Sequence, residues 1–414
     1  WSWDPIPRAA DDPAHVEWRS EQAARTGAAN AWSILSVDAE RDLLFVPTSS
    51  PSPDYWGGER LGSNRYANSV VALRASTGAL VWHFQTVHHD LWDYDVPAQP
   101  VLTTVRRDGA ELPGVVQATK RGPLFVLHRE TGEPLFPVEE RPVPASDVPG
   151  EEAWPTQPFP QLPPPLAAQE LRPEDAWGVT PWDRGRCRRK IEALRNEGIF
   201  TPPSVQGTLM FPGSAGGSNW GSVAIDPGRR FVVLNQTNLA FSVRLIPRAD
   251  YEREKAAGRG PLGLREFAPQ EGTPYGMVRE PLHSPLLLPC NPPPWGTLAA
   301  VSLDDGSIQW QVPLGSAPDR IPVSLPIRPG LPNLGRPIAT AGGLVFVSAS
   351  MDGVLRAFDV ETGAELWSDR LPAGGNATPM SYRGASGRHF VVIAAGGHGK
   401  LGTRRGDWVV AYAL

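Results

Sequence analysis

The sequence predicts an all-β fold of the propeller type, and two observations carry that prediction. Three stretches, Val70–Trp82, Ala299–Trp310 and Leu355–Trp367, repeat one design: an apolar strand, a tight turn on Gly78, Gly306 or Gly363, and a Trp four residues after the glycine. A short hairpin loop needs positive φ at the glycine, and the Trp then falls on the half-buried face of the return strand. Composition agrees, because 46 Pro, 42 Gly and 15 Trp with only 41% hydrophobic residues describe many short strands joined by turns. Repeated hairpins with a fixed aromatic anchor mark an array in which each sheet buries its face only against its neighbours.

From residue 30 to 136 strand signals alternate with turns: 33–38, 43–47, 69–73, 80–84, 114–119 and 123–128. Thr131-Gly132 closes a fourth hairpin in which Phe136 stands where the others have Trp. Residues 137–203 are rich in Pro, Glu and Trp and read as an irregular Pro-rich excursion with one helix at 186–195, since proline cannot join a strand ladder. Strands resume at 219–226 and 230–235, where the Trp220-to-Asp226 spacing repeats that of Trp32 and Asp38. A second irregular excursion at 247–294 precedes strands at 343–348, 354–358, 389–394 and 408–414. The whole of 1–414 therefore reads as one propeller domain of five or six four-stranded blades.

A net charge of -5 with no basic run gives no support for nucleic-acid binding, and no apolar run of about 18 residues is long enough to span a bilayer. Cys187 and Cys290 lack the close spacing of a zinc site; a disulfide and two buried thiols both remain open. The chain starts at Trp1, so it reads as a mature or truncated product.

The densest polar cluster is Thr86–Asp95, with His88, His89, Asp90, Asp93 and Asp95 interleaved with Trp92 and Tyr94 just after a Trp strand. A partly desolvated carboxylate there suits a general base, the plainer reading being a solvated acidic turn. His88 and His89 are poor joint metal ligands, because neighbouring residues on a strand face opposite ways. Lys120, in Gln117–Gly122, is either an inward cation for an anionic ligand or a surface turn. The glycines of 213–221 and 394–400 allow close backbone approach, and the strand that follows 213–221 excludes a dinucleotide fingerprint. Taken singly, Trp32, Trp220 and Trp295 read as core.

Taken together, the hairpins, His88–Pro97, Thr119–Gly122, Ser218–Gly221, Gly374–Met380 and Ala395–Gly399 resemble the quinoprotein dehydrogenases that use pyrroloquinoline quinone (PQQ), and within them the membrane-bound glucose, quinate and shikimate branch. The resemblance runs along the whole chain and implies an eight-bladed ring, of which this chain would lack N-terminal blades. It implies Asp90 as proton acceptor, Lys120 on the quinone oxygens, Trp32 stacked on the cofactor ring, Asn219 hydrogen-bonded near the quinone, and Gly396 and Gly397 in the loop approaching the cofactor. A divalent cation, Ca2+ or Mg2+, is implied as well; the matching Thr48–Ser50 loop carries no carboxamide, which leaves Ser50 the candidate ligand there. The implied reaction oxidises an aldose or cyclic polyol, glucose foremost, with electrons passing to ubiquinone. It would take place in the periplasm, the enzyme being held at the inner membrane by an N-terminal anchor not present in this chain. The competing readings are a non-catalytic propeller scaffold and an inactive fragment of such an enzyme.

Overall fold

The computed structural model describes residues 1–8, 11–20, 22–25, 27–107, 109–258, 260, 263–316 and 328–413. Strands β1 (Ser36–Asp38), β2 (Leu43–Pro47), β3 (Ser69–Arg74) and β4 (Leu80–Gln85) pair in sequence order as the first antiparallel sheet. Strands β5 (Val101–Arg107), β6 (Ala110–Ala118) and β7 (Leu124–His128) form the second, and β8 (Val138–Pro142) and β9 (Thr156–Pro160) form a hairpin outside it. Helix α1 (Pro181–Glu192) follows.

Two sheets are then interleaved, from β10 (Thr208–Met210), β11 (Ala224–Asp226), β12 (Phe231–Thr237), β13 (Phe241–Pro247), helix α2 (Arg248–Ala256), β14 (Glu266–Ala268), β15 (Tyr275–Pro281), β16 (Gly296–Ser302) and β17 (Ile308–Pro313). The order β11-β12-β16-β17 makes the third blade, and β10-β13-β15-β14 makes a lateral sheet. The fourth blade is β18 (Ile338–Ala339), β19 (Leu344–Val347), β20 (Val354–Asp359) and β21 (Glu365–Arg370); the fifth is β22 (Met380–Arg383), β23 (His389–Ala395) and β24 (Trp408–Ala413). Five blades thus stand among the described residues; Leu414, which closes the last predicted strand, lies outside them.

Apolar side chains stack the blades in chain order. Phe45 and Trp82 of the first meet Val115 and Phe125 of the second, whose other face (Val116, Val126) meets Val232 and Val301 of the third. Val233 and Trp310 then meet Val345 and Phe358, and Phe346 and Leu355 meet Val391 and Ile393. Strands β1, β5, β11 and β18 are neighbours in turn, so they line the inner edge of the stack.

The repeated hairpins share one geometry. Gly78, Gly132, Gly306 and Gly363 have φ of 76°, 74°, 74° and 69°, and each N–H bonds the carbonyl four residues back. The anchoring aromatic acts on the next blade rather than within its own. Trp82 lies over Gly132 and donates Nε1–H to the Arg129 carbonyl at 3.0 Å; Trp310 lies over Gly363 and donates to Val360 at 2.8 Å. Trp1 does the same at Gly78 and Ala75, while Phe136 covers Gly306. The glycine therefore answers two demands, since a Cβ on Gly132 would sit 2.6 Å from the Trp82 ring.

Within 137–203 and 247–294 the structure places β8, β9, α1, part of the lateral sheet and the whole of α2. Helix α1 starts five residues before the predicted 186–195, because Thr180 caps it by accepting from the Asp183 N–H at 3.1 Å and Pro181 takes the first turn, where no N–H is needed. It ends at Glu192 as Arg195 turns to bond the Gly207 carbonyl. Cys187, buried on α1, is disulfide-bonded to buried Cys290, which joins the two excursions.

Candidate functional site

The segment after β4 alternates buried apolar residues (Val87, Leu91, Trp92, Tyr94, Val96) with His88, His89, Asp90, Asp93 and Asp95. His89 and Asp93 adopt φ of 45° and 56°, which coils the chain around the Asp90 carboxylate. Asp90 Oδ1 accepts the Trp92 N–H at 3.0 Å; Oδ2 accepts the Tyr94 N–H at 2.9 Å, Asn68 Nδ2 at 2.9 Å and the Ser50 hydroxyl. Arg60, wholly buried, donates to the Asp90 carbonyl at 2.6 Å. Burial raises the Asp90 carboxyl to about 6, with the bonds from Ser50, Trp92 and Asn68 pulling the other way. A carboxylate so poised is ionised at neutral pH yet basic enough to take a proton.

Three residues further on lies a second cluster. Lys120 Nζ meets the Asp93 carbonyl and Oδ1, each at 3.0 Å, and Asp95 Oδ1. Burial works against the Lys120 charge, but Asp93 and Asp95 outweigh it and hold the ammonium above its ordinary range. Burial likewise opposes the Asp93 charge, and Lys120 and Arg279 together hold that carboxyl below the usual value; Asp95 is pushed up by burial, only partly offset by Lys120. Arg279, on β15, bonds Asp93 Oδ2 at 2.8 Å. Trp32 donates Nε1–H to Asp95 Oδ2 at 2.7 Å, so its ring is held by one edge while 49% of the residue stays exposed.

Trp32, Lys120 and Asp90 are thus brought to one segment, 90–95. Asn219 joins only through its loop: its side chain bonds the Ala215 carbonyl at 3.0 Å and the Trp220 N–H at 2.9 Å, while Gly217 N–H bonds the Lys120 carbonyl at 2.6 Å. Close backbone approach explains those glycines, since a Cβ on Gly216 would sit 2.5 Å from that same carbonyl. Gly397, at φ 75°, bonds the Gly374 carbonyl, and the loop from Gly396 carries His398 to Trp220, ring centroids 6.5 Å apart at 28°. The reading of Trp32 and Trp220 as core is corrected here, because both leave ring surface to solvent; Trp295 is core, at 2%. His88 and His89 diverge, to Glu140 at 3.0 Å and Glu151 at 2.7 Å.

Sequence reasoning missed Asn68, Arg60, Arg279 and the supporting roles of Asp93 and Asp95. The last two sit in the motif with Asp90; Arg279 lies 186 residues from Asp93 with no local signal. Asn68 supplies the amide that 48–50 lacks, and its buried Oδ1 has no hydrogen-bond partner. With Ser50 Oγ and the Asp90 carboxylate it makes an all-oxygen set of the kind Ca2+ or Mg2+ takes, short of the six or more oxygens Ca2+ requires. No group of three or more His, Cys, Asp or Glu suited to a metal occurs among the described residues. For a flat anionic cofactor the donors fit better: the open Trp32 face, the Lys120 ammonium, and the buried Nδ1 of His398, which has no partner.

Trp-docked propeller blades beside a buried carboxylate and a caged ammonium point to one class, a quinoprotein-type propeller. Residues 1–391 match the family described as "PQQ: Glucose/ethanol/alcohol dehydrogenase, beta-propeller domain", and the chain belongs to that family. It is 43% identical to the quinoprotein glucose dehydrogenase of Escherichia coli (strain K12), over 100% of this chain and 52% of that protein. It is 46% identical to quinoprotein glucose dehydrogenase A of Acinetobacter calcoaceticus, over 93% and 49%. A probable quinate dehydrogenase (quinone) of Xanthomonas campestris pv. juglandis is 42% identical, over 100% and 54%. The chain spans about half the length of the curated relatives it matches. Among solved structures, a europium-containing methanol dehydrogenase shares the fold at TM-score 0.64 and 21% identity, over 94% of this chain and 55% of that one.

Proposed function

We propose that this chain forms the base-bearing part of a PQQ-dependent dehydrogenase that oxidises an aldose or a cyclic polyol, glucose foremost. The observation that carries the reading is the buried Asp90 carboxylate, raised to about 6, in the same short segment as the two aspartates that cage Lys120. PQQ supplies an electrophilic quinone that accepts a hydride, two electrons, from the substrate C–H. Asp90 takes the hydroxyl proton, without whose loss an alcohol is a poor hydride donor. Ser50 and Asn68 orient Asp90 by bonding Oδ2, Lys120 offers positive charge toward the quinone oxygens, and Trp32 presents its open face to the ring. The Asn219 loop and the Gly396–Gly397 loop complete the cradle.

The proposal extends to a Ca2+ or Mg2+ ion at Ser50, Asn68 and Asp90, with further oxygens from cofactor or water. It extends also to ubiquinone as acceptor and to a periplasmic site at the inner membrane. No helix among the described residues is long and apolar enough to cross a membrane. Reconstitution with PQQ and Ca2+ or Mg2+, followed by dye reduction with glucose, quinate and a polyol panel, tests the reading. Turnover of one of them supports it; no retained cofactor and no turnover with any rejects it.

A further inference from the structure

A line of alternating charges crosses the site. Asp95 and Asp93 share the Lys120 ammonium; Asp93 Oδ2 meets Arg279 at 2.8 Å; Arg279 meets Glu266 Oε2 at 2.8 Å; and Glu266 Oε1 meets Lys400 at 3.1 Å. The inner members are largely enclosed, with side-chain exposures of 5% for Asp95, 7% for Lys120 and 16% for Arg279. The outer pair, Glu266 and Lys400, is open to solvent at 41% and 74%. Arg279 is the joint. Its Nη1, the nitrogen that meets Asp93, also lies in hydrogen-bond reach of the Tyr55 and Ser214 hydroxyls, so its position is fixed from several elements.

Resting on the reading of Lys120 as the group that meets the quinone oxygens, we infer that Arg279 is a positioning residue for that ammonium. By holding the outer oxygen of Asp93, it turns the other oxygen and the backbone carbonyl onto Lys120 Nζ. Through Glu266 and Lys400 it ties the Gly396–Lys400 loop to the same point. Without Arg279, Asp93 would face Asp54, Asp90 and Asp95 with Lys120 as its remaining cationic neighbour, and a buried carboxylate in that company turns away or takes up a proton. A planar guanidinium is suited to the task because it binds several oxygens in one fixed fork, which an ammonium cannot do.

The chain has four lysines, Lys120, Lys190, Lys255 and Lys400, so competitive amine acylation read by mass spectrometry reports on Lys120 with internal references. In Arg279→Gln, Lys120 should label about tenfold faster, the loss of one charge-assisted bond, with Lys190 and Lys255 unchanged. Glu266→Gln should raise Lys400 labelling alone, and Arg279→Lys should restore only part of the Lys120 protection, through its one bond to Asp93. PQQ affinity, followed by quenching of tryptophan fluorescence, should fall about tenfold in Arg279→Gln. Lys120 labelling equal to wild type in Arg279→Gln overturns the inference. A wild-type chain that binds no PQQ while its Lys120 labelling responds as stated overturns the proposed function and leaves the positioning role standing.

Discussion

Asp90→Asn should abolish turnover and, at neutral pH, make the protein more stable. With its carboxyl raised from 3.8 to about 6 and fully buried, Asp90 resists ionisation in the fold by about 3 kcal/mol. The unfolded chain binds fewer protons than the fold between those values, so this penalty is absent below pH 3.8, grows as pH rises, and is complete above about 6. Asparagine removes it. In exchange one bond is lost: three donors converge on Oδ2 and the Trp92 N–H points at Oδ1, so the amide NH2 must face a donor, at a cost of about 1 kcal/mol. The variant should therefore be about 2 kcal/mol more stable at pH 7.5 and about 0.5 kcal/mol less stable at pH 4, with the curves crossing near pH 4.5. Urea denaturation of both proteins across that range measures the difference, in which other titrating groups cancel. Dye reduction should drop about 100- to 10,000-fold. A stability difference flat with pH, or full activity in Asp90→Asn, would refute the argument.

Lys120→Gln leaves Asp93 with Arg279 but strips Asp95 of the ammonium that pairs with it; a loss of about 3–5 kcal/mol should follow at pH 7.5. Because burial raises the Asp95 carboxyl, that deficit should shrink as pH falls, which urea denaturation at successively lower pH checks. Gly132→Ala forces an alanine to φ 74° and drives its Cβ into Trp82, so the first two blades should separate more easily, by about 2–4 kcal/mol, with quenching of Trp fluorescence by acrylamide increased. Replacing both Cys187 and Cys290 by Ser should cost about 4–5 kcal/mol by the chain-entropy account of a crosslink spanning 103 residues; a denaturation midpoint unchanged from wild type would contradict it.

The propeller was legible because its demands are local. Positive φ at Gly78, Gly132, Gly306 and Gly363 and an aromatic four residues later are both set within one hairpin, so four copies announce the architecture. What the hairpins conceal is the partner: Trp82 packs on Gly132 and Trp310 on Gly363, each about 50 residues away on the next blade, and no spacing rule within one repeat reveals it. Asp90 and Lys120 were found as sequence motifs because each lies in a dense polar run. Asn68 and Arg279 were not, since each is one polar residue at a strand or its edge and acquires its role only when the chain folds back.

The two proline-rich excursions account for the rest, and they are where the site is built. The first holds His88 by both backbone groups through Gln157, at 2.9 and 2.7 Å, His89 through Glu151, and the Trp92 indole through the Thr201 carbonyl at 2.8 Å. The second holds Asp93 through Arg279, and through Gln270 both the Tyr55 N–H at 3.1 Å and Asp54 at 2.7 Å. Segment 88–95 carries positive φ at two non-glycine residues, a strained course that persists only when its surroundings over-determine it. The grips are mostly side chains, and two of them stand on regular strands: Gln157 on β9 and Arg279 on β15, while Glu151 and Gln270 lie in the loops beside those strands. A strand whose backbone is paired in its own sheet still presents its side chains, so the hairpin and the lateral sheet outside the five blades hold this segment from two sides. Pattern reading passed over them because proline masks the strand signal in these excursions, not because they lack strands.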